Sequence, residues 1–402
     1  MIAGTPVLDL DDVASLEAAD SGGTLRSAAS GGAQVRATAA AVDENVLARL
    51  HDLRPRSLVL VSGTGRADRA AALLVATLGD RAGLPIVRAG AIPQWVGPLD
   101  AVLVAGDDAG DPRLIDAVDR AVKRGAEVVV ATPDEGPLRA ATAGRAALLP
   151  PRVRVLDHNR MLRFLAVGVA VLQAIDPARI GPLVPDLSAL ADVLDAEALR
   201  DGPHNEVFHN PAKALAARMR ERRIVLTGDS PAAAEVAAHA AEVLLPAAGQ
   251  IAAATDLADA VAANPRMVEA AGVAAPGFDP LFHDEQLDGP APVERVRVFV
   301  VSADADQVAA RRRLAVFGAG AGLVDADLVN VDVELMSTES GGPPAAPPDE
   351  PLPGGGPMFR VGSELEQLAV LVVRLEMAAA YLRLLGCGPA TDRPERYDGG
   401  RY

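Results

Sequence analysis

Cysteine is almost absent. Cys387 is the one thiol in 402 residues, which excludes an internal disulfide framework and any metal site built from several thiolates. Aromatic side chains make up 3% of the chain, too few for base-stacking platforms or aromatic cages. Lysine is rarer still: Lys123 and Lys213 are the only two among 38 basic residues, and all the others are arginine. With alanine abundant throughout, that skew reads as a coding bias and not as a functional signal. Positive charge is in deficit, with 54 acidic residues giving a formal net charge of −16. Such an excess repels phosphate backbones, so no general nucleic-acid partner is expected. The longest apolar stretch, Phe164 to Ile175, falls well short of the ~20 residues that a membrane-spanning helix needs. The N-terminus has neither a basic nor an apolar leader before Asp9, Asp11 and Asp12, so no signal peptide and no membrane partner are expected. The expectation is a soluble, cytoplasmic protein.

Half of the residues are apolar, enough for real cores, and the length suggests two or three domains. Ser57-Leu58-Val59-Leu60-Val61 is a continuous apolar run of the kind found in buried parallel strands. It leads through Ser62-Gly63-Thr64-Gly65 into an alanine-rich helix from Arg66. A second unit follows: strand Ala101 to Ala105, loop Gly106 to Asp111, helix Pro112 to Arg124 and strand Glu127 to Ala131. Pro112 at the first helical position and Gly125 at the stop fit that reading. The same order recurs at Arg223 to Thr227, Gly228 to Pro231 and Ala232 to Leu245, and again at Val296 to Val301, where an arginine-rich helix is expected after Asp304. This is an internal duplication of one α/β unit, with a longer insertion in the second copy. Upstream, the Gly22-Gly23 and Gly31-Gly32 pairs read as breaks, and Ala33 to Leu50 as a helix. Near the C-terminus Ser363 and Glu366 make a capping box for a long helix with an apolar face from Leu365 to Leu382. That face is more than a lone helix should expose, so a homodimer is expected.

Ligands of parallel α/β sheets bind outside the carboxyl ends of the strands, which points to the loops Ser62–Gly65 and Gly106–Asp111. Gly63-Thr64-Gly65 lacks the third glycine of a dinucleotide fingerprint, and no lysine follows a glycine loop as a nucleotide triphosphatase requires. No cofactor is expected. His204, Asn205, Glu206 and His209 lie in a loop without the spacing of a metal site, and read as capping and hinge residues. His51, His158 and His239 read as structural or solvated.

From about Ser57 to Gly388 the chain resembles the tandem SIS-domain bifunctional phosphoglucose/phosphomannose isomerases, and within them the TobH-like group. The residues that carry the likeness are Leu114 to Ala126, Asn210-Pro211-Ala212-Lys213-Ala214-Leu215-Ala216 and the run into Arg223-Ile224-Val225-Leu226, together with the helix Glu364 to Gly386. The resemblance implies aldose–ketose isomerisation of a sugar 6-phosphate. One histidine opens the ring, a glutamate moves the proton, and hydroxyls with loop N–H groups hold the phosphate. It makes His283 the ring-opening candidate, puts Glu285 beside it as a second catalytic candidate, and places Arg160 near the sugar. The substrate-binding set it implies is Ser62, Gly63, Thr64, Gly65, Arg66, Gly106, Asp107, Asp108, Gly110 and Arg160.

The departures fall on the phosphate site. Asp107-Asp108-Ala109-Gly110 stands where that family has roughly Ser-Gly-Asn-Thr, and Gly65-Arg66-Ala67 where it has Gly-Gly-Ser. Two like charges ~4 Å apart cost ~4 kcal/mol at a surface-like dielectric, so these carboxylates should repel a phosphate and instead accept the loop N–H groups themselves. Arg66 offers a replacement positive charge. Pro246 to Ala254 holds only Gln250 where the catalytic glutamate is expected. The expectation is therefore an α/β chain of two SIS-type domains, each a small parallel sheet flanked by helices, plus a C-terminal helix. The divisions are a helical segment 1–50, a first domain 51–160, a helical connector 161–205 and a second domain 206–338, then a Pro/Gly-rich loop 339–357 and a helix and tail 358–402. The expected ligand is a sugar phosphate or related carbohydrate derivative. Turnover by an isomerase-like site and non-catalytic sensing or scaffolding both remain open.

Overall fold

The computed structural model describes residues 8–51, 53–272, 295–304, 312, 314–317, 323–331, 336–337 and 363–386. Five strands, β1 (Ser57–Ser62), β2 (Ile86–Ala89), β3 (Asp100–Ala105), β4 (Glu127–Ala131) and β5 (Ala146–Leu148), form an all-parallel sheet in the order β2-β1-β3-β4-β5. A second sheet holds β6 (Arg223–Gly228), β7 (Ala252–Asp256), β8 (Val296–Val301), β9 (Val324–Val329) and β10 (Met336–Ser337), ordered β10-β9-β8-β6-β7. Counted within its own half, the second sheet repeats the strand order of the first, with only its last strand antiparallel. The internal duplication is thus a duplication of topology.

The strands are apolar along their whole length because both of their faces are buried. Side chains alternate across a strand, and Leu58, Leu60 and Leu103 enter one core while Val59, Val61, Val102 and Val104 enter another. The second sheet divides likewise: Leu226, Phe299 and Val301 face the first of these cores, and Val298 and Val300 face a third. The central core therefore belongs to both halves. Helices α1 (Val13–Ala19), α2 (Thr24–Ala28), α3 (Gly31–Asp43), α4 (Arg66–Leu78), α5 (Pro112–Lys123), α6 (Gly136–Thr142) and α7 (Met161–Ile175) precede or accompany the first sheet. Then come α8 (Pro177–Ile180), α9 (Leu187–Arg200), α10 (Pro211–Met219), α11 (Pro231–Ala248), α12 (Leu257–Ala271) and the C-terminal α13 (Glu364–Gly386). The seam between the halves is formed by α4 packing on α11, with α13 laid against α9, α10 and α11.

Two expectations need correction. Gly31 and Gly32 do not break the chain; they open α3, because a side chain there would collide with its neighbours. A Cβ on Gly32 would lie 2.6 Å from the Ala191 carbonyl of α9, and one on Gly31 2.6 Å from Leu162 of α7. The helix ends instead at Asp43, before Asn45 turns left-handed with φ 62°. The apolar face of α13 is covered by this chain's own helices, with Leu368, Leu371, Val372 and Tyr381 fully buried, so it offers no surface to a second copy. Ser363 caps it as expected, its hydroxyl accepting the Glu366 N–H at 3.2 Å. The 339–357 loop, the tail and most of the arginine-rich segment after Asp304 lie outside the described residues.

Candidate functional site

The order β2-β1-β3 reverses direction between β1 and β3, which opens a crevice at their carboxyl ends. Two turns line it. After β1 the Gly63 N–H donates to the Ala105 carbonyl at 2.8 Å, holding the turn against β3. Gly63 and Gly106 pass so closely that a Cβ on Gly63 would sit 3.5 Å from the Gly106 Cα, and one on Gly106 2.5 Å from Leu114. Gly65 takes φ 83° and faces open space, so the first turn of α4 begins without a side-chain cap. Thr64 is exposed, and the Ser62 hydroxyl donates to Asp68 at 3.0 Å.

The turn after β3 differs in its electrostatics. Asp108 accepts the Gly110 N–H at 2.7 Å, and Asp111 caps α5 by accepting the Arg113 N–H at 2.9 Å. Those two carboxylates satisfy the loop's own donors, as expected of an acidic turn. Asp107 does not. It faces a guanidinium, Arg160, at 3.0 Å, and Arg160 also pairs with Asp157 at 2.6 Å. Burial pushes the Asp107 carboxyl up, and Arg160 and then Arg163 pull against that shift. Arg163 donates to the Leu149 carbonyl at 3.0 Å and is brought down to about 10 by burial.

Arg66 is not the unpaired positive charge expected of it, although Asp107 of the crevice is among the charges that act on it. Its guanidinium reaches across the seam to the second half, 2.9 Å from Glu242 and 3.3 Å from Nδ1 of His239. Arg69, one turn on, pairs with both Glu235 and Glu242. His239 is fully buried and meets Glu376 of α13, Nε2 to Oε1 at 2.8 Å. Glu376 also accepts from Asn159 at 2.8 Å. Burial pushes Glu376 up, to about 8, against the pull of Asn159 and Arg66, and pushes His239 well below its ordinary value. His158 lies in the 3-10 turn Asp157–Asn159, which sits against α4 and α11. Burial, then the charges of Arg66 and Arg383, bring its imidazole down to about 4, so it is neutral at pH 7 and able to accept or donate a hydrogen bond.

Ser62 to Arg66, Gly106 to Gly110 and Arg160 thus gather at one crevice. His283 and Glu285 lie outside the described residues. The carboxylate sought near Gln250 is absent from that stretch, where the Gln250 amide donates to the Arg222 carbonyl at 3.4 Å. His158, His239 and Glu376 escaped the sequence reading, which took the two histidines as structural or solvated. A signal existed: Arg374 and Glu376 interrupt a helix that is apolar on every side, and charge in such a setting marks a buried partner. No cluster of three or more His, Cys, Asp or Glu side chains that could hold a metal ion occurs among the described residues, which include His204 and His209. Asn205 instead donates to the carbonyls that end α9, and Asn210 caps α10. An open cavity of about 580 Å³, lined by His51, Arg54, Leu84, Ile175 and Arg179, lies at the other, amino end of the first sheet.

No family model and no curated protein matches the chain. Solved structures do. The chain is similar to a protein from Silicibacter pomeroyi DSS-3 described as a phosphosugar isomerase, at 16% identity over 91% of this chain and 99% of that one, with a TM-score of 0.58. It is similar to the C-terminal domain of glucosamine-fructose-6-phosphate aminotransferase from Francisella tularensis, at 9% identity over 90% and 95%, with a TM-score of 0.54. It is also similar to glucosamine-6-phosphate deaminase from Thermotoga maritima, at 12% identity over 90% and 93%, with a TM-score of 0.54. At these identities the likeness concerns the fold alone: two α/β units, each built on a mainly parallel sheet flanked by helices, over most of the chain.

Proposed function

We propose that this chain binds a sugar phosphate or a related carbohydrate derivative in the crevice between β1 and β3, as an isomerase-like protein whose phosphate loop has been remodelled. Three fold neighbours named for phosphosugar chemistry support the ligand class. The observation that carries the location is the convergence of the Gly63–Arg66 and Gly106–Gly110 turns at the switch point of the first sheet, closed on one side by α11 of the second half. We extend the proposal to membership of the TobH-like group of tandem SIS isomerases, to a cytoplasmic location, and to His283 as the ring-opening residue with Glu285 beside it. Among the described residues no helix is long and apolar enough to cross a membrane.

The alternative is a non-catalytic sensor or scaffold, and one feature favours it. Asp107 already occupies the Arg160 guanidinium that a ligand phosphate would seek. A coupled assay on glucose 6-phosphate, mannose 6-phosphate and fructose 6-phosphate separates the two readings. Turnover that vanishes in His283→Ala establishes the enzyme. Binding without turnover establishes the sensor, and neither binding nor turnover with any of the three refutes the proposal.

A further inference from the structure

We infer that His239 and Glu376 are positioning residues: through a directed chain of hydrogen bonds they hold the Arg66 guanidinium beside the crevice. The ligand-side part of this inference rests on the function proposed above; the hydrogen-bond assignment does not. The chain has one consistent set of donors. A guanidinium can only donate, so Nδ1 of His239, 3.3 Å from Arg66, must accept. The single proton of the neutral ring then sits on Nε2 and points at Oε1 of Glu376, 2.8 Å away. Oε2 accepts from the Asn159 amide at 2.8 Å. The amide's orientation is itself fixed, because its oxygen accepts the Ser27 hydroxyl at 2.8 Å while that hydroxyl oxygen accepts the Leu156 N–H at 2.8 Å.

The groups facing this pair are Arg66 and Arg69 from α4, Glu242 from α11, and His158 and Asn159 from the turn before α7. His239 and Glu376 are shut away from water, at 0% and 1% side-chain exposure, on helices whose buried residues are mostly alanine, valine and leucine. Apolar side chains of similar volume would pack there at no electrostatic cost, so the pair is poorly explained by stability alone. What it does achieve is orientation. Arg66 is the first residue of α4, immediately after the Gly63–Gly65 turn, and its side chain is held at 13% exposure by His239 and Glu242. A second-half helix and the C-terminal helix thereby set the geometry of a first-half loop.

The test uses the full chain, with ¹⁵N-labelled histidine and glucose 6-phosphate as the probe. Nitrogen shifts of His239 are expected to report the Nε2–H tautomer in the wild type and a mixture once Arg66→Met removes the donor. An Nδ1–H ring in the wild type overturns the inference whether or not any sugar phosphate binds. In calorimetry, His239→Leu fills the space but breaks the chain, and a tenfold or larger loss of affinity is expected. His239→Gln, whose amide can accept from Arg66 and donate to Glu376, should recover most of it. Equal affinity for His239→Leu and the wild type overturns the positioning role. A wild type that binds no glucose 6-phosphate removes the proposed function, and the tautomer measurement then decides this inference alone.

Discussion

Asp107 lies in the loop after β3, where a phosphate-binding loop would present hydroxyls, and its partner is the Arg160 guanidinium instead of a backbone N–H. The acidic turn was legible in the sequence, but its division of labour was not: which carboxylate caps and which meets an arginine depends on Arg160, some fifty residues away in the chain. Removing that charge should release the arginine. Asp107→Ser is expected to tighten sugar 6-phosphate binding by roughly ten- to a hundredfold, or ~1.4 kcal/mol per tenfold. A Thr at Gly110 is less suitable, since its Cβ would press within 3.1 Å of Asp108. Calorimetry that shows unchanged or weaker binding in Asp107→Ser would place the phosphate elsewhere. His158 gives a second residue-scale prediction. Its value falls from 6.5 in the unfolded chain to about 4 in the folded one. The unfolded state therefore takes up a proton first as the pH drops, and this group's contribution is complete above 6.5 and lost on the way down to about 4. Melting temperature against pH should fall less steeply over that window in His158→Gln than in the wild type; parallel curves would refute the assignment.

At the scale of elements, what could be read beforehand followed from local rules. The apolar run at Ser57 to Val61 announced a strand buried on both faces, and Pro112 with Gly125 bracketed α5. What could not be read depended on neighbours distant in sequence. Nothing local says that Gly32 must be small because α9 crosses it, or that the apolar face of α13 meets α9, α10 and α11 in place of another subunit. The junction of α9, α10 and α13 makes the point in one residue. Asp201 ends α9, accepts the Ala212 N–H at 3.1 Å at the start of α10, and its carbonyl takes the Tyr381 hydroxyl of α13 at 2.7 Å. Its second carboxylate oxygen is buried with no hydrogen-bond partner, and burial together with the nearby Glu197 charge raises it to about 8. An acid whose folded value lies above its unfolded 3.8 contributes stability below 3.8 that is lost as the pH rises through about 8. Asp201→Asn keeps the oxygen that accepts from Ala212 and discards the charge. Its melting temperature should rise relative to the wild type by several degrees at pH 8 and by much less at pH 4. A constant offset across that range would show that the charge is not what strains this junction.

For the molecule as a whole, the duplicated strand order would allow two independent domains, yet the packing argues against independence. Leu58, Leu60 and Leu103 of the first sheet share one core with Leu226, Phe299 and Val301 of the second, and α7, α11 and α13 fill it between them. Dividing the halves would expose that layer and strand the buried His239–Glu376 pair without Arg66. Leaving such groups unpaired is costly, on the order of 1–3 kcal/mol each and more where a charge is involved. Each half keeps an outer core, but both lose the large central one on separation, so cooperative unfolding follows. Scanning calorimetry of the full chain should therefore show one transition, with calorimetric and van't Hoff enthalpies in agreement. The seam offers the sharper form of the test. Arg69 pairs with Glu235 and Glu242 across it, so Arg69→Met removes an interdomain contact while leaving both sheets intact. If the halves fold as one unit, that substitution moves the single transition to lower temperature without splitting it. Two resolved peaks, in the wild type or in Arg69→Met, would mean that each half is stable on its outer core alone and that the central layer is only an interface between them.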